Sequence, residues 1–173
     1  MENLDALLDR LPDAAKDLRL NVKAVLGESS LTPAQTWGTA VASAIAADHP
    51  ELQRAVTEAA RARVEAPVLD DAVAAAAIMG MNNVFYRFRH MVPGYEQIPA
   101  RLRMNRLGRP ATSRVDLELF SLAVSAIHGC EACVRSHEKV ALEGGLSQQQ
   151  VFDAVRIAAV LHGAAVALRG AAS

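Results

Sequence analysis

Aromatic residues and cysteines are both scarce in this chain of 173 residues. Aromatic side chains make up 4% of the sequence, whereas hydrophobic residues make up 51%. Because sheets favour aromatic and β-branched residues, a core built from alanine and aliphatic side chains is typical of closely packed helices. The scarcity therefore predicts an all-α fold. The length suits a single compact domain and leaves little room for a second one.

An excess of charge and a long apolar run are also missing. The formal net charge is -1 at pH 7, which provides no field to attract phosphate backbones or anionic lipids. Nucleic acid is therefore not an expected partner. The first residues, MENLDALLDR, are acidic and amphipathic, unlike a signal peptide. No apolar run approaches the roughly 18 residues of a membrane span, so we expect a cytoplasmic protein that does not contact a membrane.

Helix start signals divide the chain into predicted helices. Thr32 to Gln35 form a capping box with proline at the first helical position, and Ser147 to Gln150 form a similar box. Ser113 is a candidate N-cap before a third segment. The predicted helices cover roughly residues 3-10, 13-26, 33-47, 50-64, 69-87, 114-128, 130-143 and 148-168.

The chain resembles itself after a shift of 82 positions. This shift places the tripeptide Ser-Ala-Ile at 43-45 on 125-127, and Asp-Ala-Val at 71-73 on 153-155. We interpret the match as two repeated helical units within one domain. The alternative is that any two alanine-rich amphipathic helices align this well. The predicted division is a non-catalytic unit at 31-88, a linker at 89-112 and a catalytic unit at 113-170.

The only two cysteines stand together at the start of a predicted helix. Cys130, Cys133 and His137 occupy positions i, i+3 and i+7, which share one helix face. One helical turn keeps two Cα atoms within the roughly 7 Å that a disulfide allows. In a reducing compartment such a pair indicates redox or metal chemistry more than a structural disulfide. A helix N-terminus and a neighbouring imidazole both favour the reactive thiolate.

Two assignments of the attacking thiol follow from this motif. His137 lies four residues after Cys133, so it can act as a general base for that thiol. In redox CxxC motifs, however, the first cysteine lies nearer the helix terminus, which favours Cys130. We favour Cys133, because a specific adjacent base outweighs a helix-terminus effect of about 1 kcal/mol.

Glu118 lies in a polar stripe on the preceding predicted helix. Its neighbours in the stripe are Arg114, Ser121 and Ser125. One interpretation is a solvated face with an Arg114–Glu118 pair. The other is a functional carboxylate, since the flanking residues are apolar and leave little room for a wide exposed face. Under the shift of 82 positions, Glu118 corresponds to Thr36, so the first unit has no counterpart.

A zinc site is the structural alternative for the same residues. Cys130, Cys133 and His137 would need a fourth ligand, for which Glu118, His128 or His162 are candidates. Three ligands on one short helix make poor tetrahedral geometry, and no second CxxC completes the set. Outside this alternative, we interpret the other four histidines as packing or surface residues: His49, His90, His128 and His162.

One pattern in the chain resembles the signature of the AhpD-like alkyl hydroperoxidases, within the carboxymuconolactone decarboxylase superfamily. It consists of Glu118, eleven further residues and then Cys130-x-x-Cys133-x-x-x-His137. The resemblance extends over nearly the whole chain. It implies a thiol peroxidase in which Cys133 forms the sulfenic acid and Cys130 resolves it, while His137 and Glu118 relay protons. Members of this family often carry a histidine just before the second cysteine, where this chain has Ala132.

The resemblance also implies partners and an assembly. Such proteins are homotrimers without a tightly bound cofactor. They take electrons from dihydrolipoamide on the lipoylated E2 component of a 2-oxoacid dehydrogenase, which dihydrolipoamide dehydrogenase keeps reduced. They pass electrons to the peroxiredoxin AhpC. Two alternatives remain open, a lyase of the carboxymuconolactone decarboxylase type on the same fold and a zinc-binding or purely structural helical module.

Overall fold

The computed structural model describes residues 1–171. Over this range the chain is helical and contains no strand, so the predicted all-α class is confirmed. Two short 3-10 turns at Asp13–Ala15 and Asn105–Gly108 interrupt the connecting segments. The α-helices are α1 (Glu2–Leu8), α2 (Asp17–Gly27), α3 (Pro33–Ala46), α4 (Pro50–Arg61), α5 (Ala66–Met91), α6 (Arg114–Ile127), α7 (Glu131–Glu143) and α8 (Gln148–Ala171).

The predicted helix starts agree with the observed ones where a cap sets them. Thr32 accepts a hydrogen bond from the Gln35 backbone and completes the capping box of α3, and Ser113 accepts one from the backbone of Asp116. The ends agree less well. α5 runs from 66 to 91, longer than the predicted 69-87 at both ends. The earlier start is compatible with Pro67, because a proline in the first turn needs no N–H.

Helices α3 and α6 form the centre of the molecule. An unbroken run of buried side chains lies in each, at 35–44 in α3 and at 119–125 in α6, which is the pattern of a core helix. They approach closely because Gly38 on α3 faces the buried ring of Phe120 on α6. A Cβ atom at Gly38 would lie 2.1 Å from Cζ of that ring. The other helices surround this pair: α5 packs against both, and α7 and α8 pack against α6.

Two buried carboxylates fasten the segments that lead into the central helices. Asp153 on α8 accepts hydrogen bonds from the backbone and hydroxyl of Ser30, both at 2.8 Å. Asp71 on α5 accepts bonds from the backbone and hydroxyl of Thr112 at 2.8 and 2.7 Å, and one from Arg106 at 2.9 Å. Asp71 and Asp153 are related by the shift of 82 positions found in the sequence, and so are their partners Ser30 and Thr112. The division into repeated units remains a prediction.

Helices α5 and α8 contain windows of 18 residues that are apolar enough to cross a membrane by length and composition. This finding differs from the prediction that no segment approaches a membrane span. In each helix 44% of the window is buried within the fold, and the core helix of a protein without a membrane passes the same test. Composition alone is therefore weak support for a span.

Candidate functional site

The two cysteines lie where α6 turns into α7. Gly129 adopts a φ of 65°, a left-handed conformation that suits glycine, and the chain then enters α7. Cys130 is the N-cap of α7, one residue outside the helix that the sequence predicted to include it. Its backbone N–H donates to the Ser125 carbonyl at 3.2 Å. This turn directs Cys130 back towards the first turn of α7.

Cys130 and Cys133 form a disulfide. The two Cα atoms are 5.3 Å apart, within the range expected for one helical turn. Cys130 is 1% exposed and Cys133 is 8% exposed. In this oxidised form the first cysteine is therefore the less accessible of the two, contrary to the general expectation for CxxC motifs.

Glu118 and His137 are joined across the interface between α6 and α7. Oε2 of Glu118 lies 2.6 Å from Nδ1 of His137, and both side chains are 14% exposed. Arg114 lies one turn before Glu118, at 3.7 Å from its other oxygen, and its side chain is 71% exposed. Glu118 therefore does not belong to a solvated face. It holds the ring of His137 on the face of α7 that carries the disulfide.

The second nitrogen of His137 contacts a methionine. Nε2 lies 3.1 Å from Sδ of Met79, a residue of α5 that is 1% exposed. No sequence pattern distinguishes Met79, because methionines at helical spacing are typical core residues. In the disulfide form, both nitrogens of the imidazole are thus occupied, one by Glu118 and the other by Met79.

A polar network on α5 supports the turn that precedes Cys130. Asn83 Nδ2 lies 3.1 Å from Nδ1 of His128, and Ser125 donates to Oδ1 of Asn83 at 3.1 Å. Arg87 donates to the carbonyl of His128 at 2.6 Å. Met79, Asn83 and Arg87 follow one another along α5 at steps of four residues. This spacing is the sequence feature that predicts that they share one helix face.

Burial lowers the pKa of His128, and the positive charge of Arg87 lowers it further, although a hydrogen bond to the Met79 carbonyl acts in the opposite direction. His128 is therefore held in its neutral form. The sequence predicts a packing or surface residue here, and the structure adds that the ring and the carbonyl of His128 are hydrogen bonded to α5. It links α5 to the turn that carries Cys130.

An open hollow of about 370 Å³ adjoins the disulfide. Arg87, His90 and Met91 on α5 line one side, and Cys130 and Ala132 line the other. Because Ala132 has only a methyl group, it contributes no proton donor or acceptor to this region. Cys130, and not Cys133, is among the residues that line this hollow.

In the disulfide form, the two cysteines are not available as zinc ligands. The sulfurs of Cys130 and Cys133 are bonded to each other, whereas zinc binds thiolates. Across residues 1–171, no three histidine, cysteine or acidic side chains are grouped closely enough to hold a metal ion. His128 and His162, which were candidates for the fourth ligand, therefore do not complete a site with the cysteines.

Comparisons with known proteins identify relatives of this chain. The profile of the carboxymuconolactone decarboxylase family matches residues 93–173. The alkyl hydroperoxide reductase AhpD of Anaeromyxobacter dehalogenans (strain 2CP-C) is 61% identical over 170 residues, which cover 97% of this chain and 91% of that protein. The AhpD of Gluconacetobacter diazotrophicus is 52% identical over 172 residues, or 99% and 95% of the two chains. The AhpD of Brucella anthropi is 42% identical over 171 residues, or 98% of each.

Proposed function

Because this chain belongs to the AhpD family of alkyl hydroperoxide reductases, we propose that it reduces organic hydroperoxides through the Cys130 and Cys133 thiols. The observation that carries the proposal is the disulfide at the start of α7, together with the hydrogen bond between Glu118 and His137 on the same helix. A disulfide that spans a single helical turn can open and close without moving the scaffold. The site is therefore suited to repeated two-electron cycles.

In the proposed cycle, the Cys133 thiolate attacks the terminal oxygen of the hydroperoxide. The O–O bond breaks, the alkoxide takes the proton that His137 removed from the Cys133 thiol and becomes an alcohol, and Cys133 becomes a sulfenic acid. Cys130 then attacks the Cys133 sulfur, a water molecule leaves, and the disulfide forms. The two thiols are thereby oxidised by two electrons, and the hydroperoxide is reduced to an alcohol and water.

His137 acts in this cycle as the general base for Cys133, and Glu118 orients it. A carboxylate hydrogen bonded to one imidazole nitrogen fixes the ring and leaves the other nitrogen for proton transfer. The 2.6 Å contact between Glu118 and Nδ1 of His137 supports this division. Since position 132 is alanine, the proton relay that we propose consists of Glu118 and His137 alone.

We further propose that the disulfide is reduced by dihydrolipoamide. This donor would be carried by the lipoylated E2 component of a 2-oxoacid dehydrogenase and kept reduced by dihydrolipoamide dehydrogenase. The peroxiredoxin AhpC is the proposed acceptor of electrons from this chain. A slender dithiol arm suits a disulfide whose two sulfurs are nearly buried.

A cytoplasmic homotrimer is part of the same proposal. Val84, Phe88 and Met91 follow one another along α5 and are all exposed. Contiguous exposed apolar side chains of this kind are typical of surfaces that contact another subunit. The subunit contact is therefore proposed along this stretch of α5. Light scattering at micromolar concentration tests the assembly, and a stable monomer would contradict it.

The test of the proposed function is a thiol count. One equivalent of organic hydroperoxide added to the reduced protein should remove both thiols and yield one equivalent of alcohol. In the Cys130→Ser protein, a sulfenic acid should be trapped at Cys133, because its resolving partner is gone. Trapping at Cys130 in the Cys133→Ser protein instead would reverse the assignment. Thiols that persist in the presence of hydroperoxide would favour the lyase alternative.

The donor is tested separately by following NADH oxidation at constant organic hydroperoxide. Turnover should require lipoamide, or a lipoylated domain, together with dihydrolipoamide dehydrogenase, and omission of either component should stop it. Equal turnover with thioredoxin and thioredoxin reductase, and none with lipoamide, would contradict the donor assignment. That outcome would leave the thiol chemistry intact.

A further inference from the structure

The proposed cycle leaves one of the two thiols without a group that activates it. Cys130 must attack the sulfenic acid on Cys133 as a thiolate, and a free thiol is mostly protonated at neutral pH. His137 is the base for Cys133. At a helical rise of about 1.5 Å per residue, it lies about 6 Å along the axis of α7 from Cys133 and about 10.5 Å from Cys130. A different group is therefore needed to favour the Cys130 thiolate.

Arg87 carries a positive charge in the wall of the hollow that Cys130 also lines. Nη1 of Arg87 donates to the carbonyl of His128 at 2.6 Å, and this carbonyl lies two residues before Cys130. The Cα atoms of residues 128 and 130 are at most about 7.6 Å apart, since each step along the chain measures about 3.8 Å. The contact therefore holds the guanidinium next to the turn that carries Cys130.

The other charged groups of the hollow do not cancel this charge. Glu131 is the one acidic residue in its lining, and Nε and Nη2 of Arg135 donate to the carboxylate of Glu131 at 3.0 and 2.7 Å. His90 contributes a ring whose Nδ1 lies 2.5 Å from the Tyr86 carbonyl. Arg87, by contrast, donates to a carbonyl, which has no net charge. Its positive charge is therefore available to an anion in the hollow.

We propose that Arg87 is a positioning residue for the resolving step, whose guanidinium keeps Cys130 in the thiolate form and whose hydrogen bond holds the turn that carries this cysteine. The inference rests on the proposed function, because it takes the roles of Cys130 and Cys133 from that cycle. It gives the resolving thiol an activating group of its own, as His137 is for the attacking thiol.

A second arginine makes the same contact far from the disulfide. The shift of 82 positions relates Arg87 to Arg169, and Nη1 of Arg169 donates to the carbonyl of Ala47 at 2.9 Å. Ala47 is the C-cap of α3 and His128 is the C-cap of α6, so each arginine binds the end of one central helix. The turn after α3 contains no cysteine. The structural part of the contact is therefore common to both arginines, whereas a thiol lies near Arg87 alone.

Opening the disulfide frees two side chains and leaves the backbone contacts of the turn in place. The backbone N–H of Cys130 donates to the Ser125 carbonyl at 3.2 Å, and Gly129 turns the chain with a φ of 65°. Neither feature depends on a cysteine sulfur, and neither does the bond from Arg87 to the His128 carbonyl. We therefore expect the guanidinium to stay beside Cys130 in the reduced form.

The resolving step starts from a sulfenic acid on Cys133 and a thiol on Cys130. The Cys130 thiol loses its proton to water in the open hollow, and the positive charge of Arg87 stabilises the anion that remains. The thiolate attacks the sulfur of Cys133, the S–S bond forms and the S–O bond breaks. The leaving hydroxide takes up a proton from water, so the products are the disulfide and one water molecule. The guanidinium stays protonated throughout.

The first measurement is the alkylation of Cys130 by iodoacetamide in the Cys133→Ser background, where Cys130 is the only thiol. Arg87→Gln removes the charge and keeps a donor for the His128 carbonyl. Because Arg87 is exposed and water screens its charge, the alkylation rate at pH 7 should fall by a moderate factor, about 3- to 10-fold. Arg87→Lys should recover most of the rate. Arg169→Gln is the matched control, and its rate should not change.

Salt provides a test that needs no substitution of Arg87. In the Cys133→Ser protein that retains Arg87, alkylation should slow as added salt screens the charge, whereas the rate in Arg87→Gln should respond less. Circular dichroism verifies that each variant is folded. A rate that does not respond to salt would contradict the role of the charge even if Arg87→Gln failed to fold.

The second measurement follows the resolving step itself in the protein with both cysteines. Rapid quenching after addition of organic hydroperoxide counts the sulfenic acid on Cys133 and the disulfide. In Arg87→Gln, the sulfenic acid should form at the usual rate and convert to the disulfide about 3- to 10-fold more slowly, so that it accumulates. A residue that acts only by holding the fold would not separate the two steps in this way.

The outcomes distinguish this inference from the proposed function. Unchanged alkylation in Arg87→Gln, an equal loss in Arg169→Gln, or an Arg87→Lys rate as low as that of Arg87→Gln would each overturn the role of Arg87. Failure of hydroperoxide to oxidise the thiols would instead contradict the proposed function. The alkylation of Cys130 would still test Arg87 in that case, because it requires no hydroperoxide.

Discussion

Replacing Glu118 by glutamine is the most direct test of the hydrogen bond between Glu118 and His137. Glutamine keeps the size of the side chain and an acceptor oxygen, but it removes the charge that stabilises a protonated imidazole. The contact is short, at 2.6 Å, and both side chains are only 14% exposed, so water screens it little. The substitution therefore removes mainly the electrostatic part of one hydrogen bond.

The size of the effect follows from this geometry. A hydrogen bond to a charged group contributes about 1.5–3 kcal/mol, and about 1.4 kcal/mol corresponds to a tenfold change in rate. Glu118→Gln should therefore slow the oxidation of the Cys133 thiol by about 10- to 100-fold. Arg114 is 3.7 Å from Glu118 and largely exposed, so Arg114→Gln should slow the same step by about fivefold or less.

The assay mixes reduced protein with excess organic hydroperoxide, quenches with acid and counts the remaining thiols over time. Glu143→Gln is the matched control, because Glu143 is an exposed carboxylate at the end of α7 with a distant partner, Lys139 at 3.9 Å. Circular dichroism verifies that each variant is folded. A Glu118→Gln rate within twofold of the unmodified protein, or an equal loss in Glu143→Gln, would refute the proposed role of Glu118.

Three further predictions concern stability. Burial alone would raise the pKa of Asp153, but hydrogen bonds from Ser30 and its other donors hold it below the ordinary value. Asp153→Asn should therefore lower the free energy of unfolding by about 2–3 kcal/mol at pH 7 in urea titrations, and the difference should shrink as the pH falls through the lowered pKa. An equal difference at low pH would contradict this. Gly38→Ala should cost about 1–3 kcal/mol, since the new Cβ collides with Phe120, and an unchanged melting temperature would show that α3 and α6 can separate freely. Burial lowers the pKa of His128, so the stability of the unmodified protein should fall as the pH drops below about 6.5, whereas His128→Gln should lack this slope in the same titrations.

The helix class, the helix starts that a cap sets and the redox pair were all readable in the sequence. Each depends on local chemistry, because caps satisfy the first N–H groups of a helix and a CxxC spacing brings two sulfurs within bonding distance over one turn. The ends of α5 were less predictable, since a helix continues as long as tertiary packing supports it. The exposure of the two cysteines also differed from the general CxxC pattern, because the turn at Gly129 buries Cys130.

The sequence by itself determined an all-α chain, a cysteine pair able to form a disulfide, and a set of candidate residues that includes Glu118 and His137. Only the tertiary structure decided what surrounds them. Glu118 and His137 are 19 residues apart, and Met79 is 58 residues before His137, so these contacts depend on how α5, α6 and α7 pack. Spacing along one helix fixes which side chains share a face. Which helix packs against that face depends on the tertiary packing of separate helices, and no local sequence pattern predicts it.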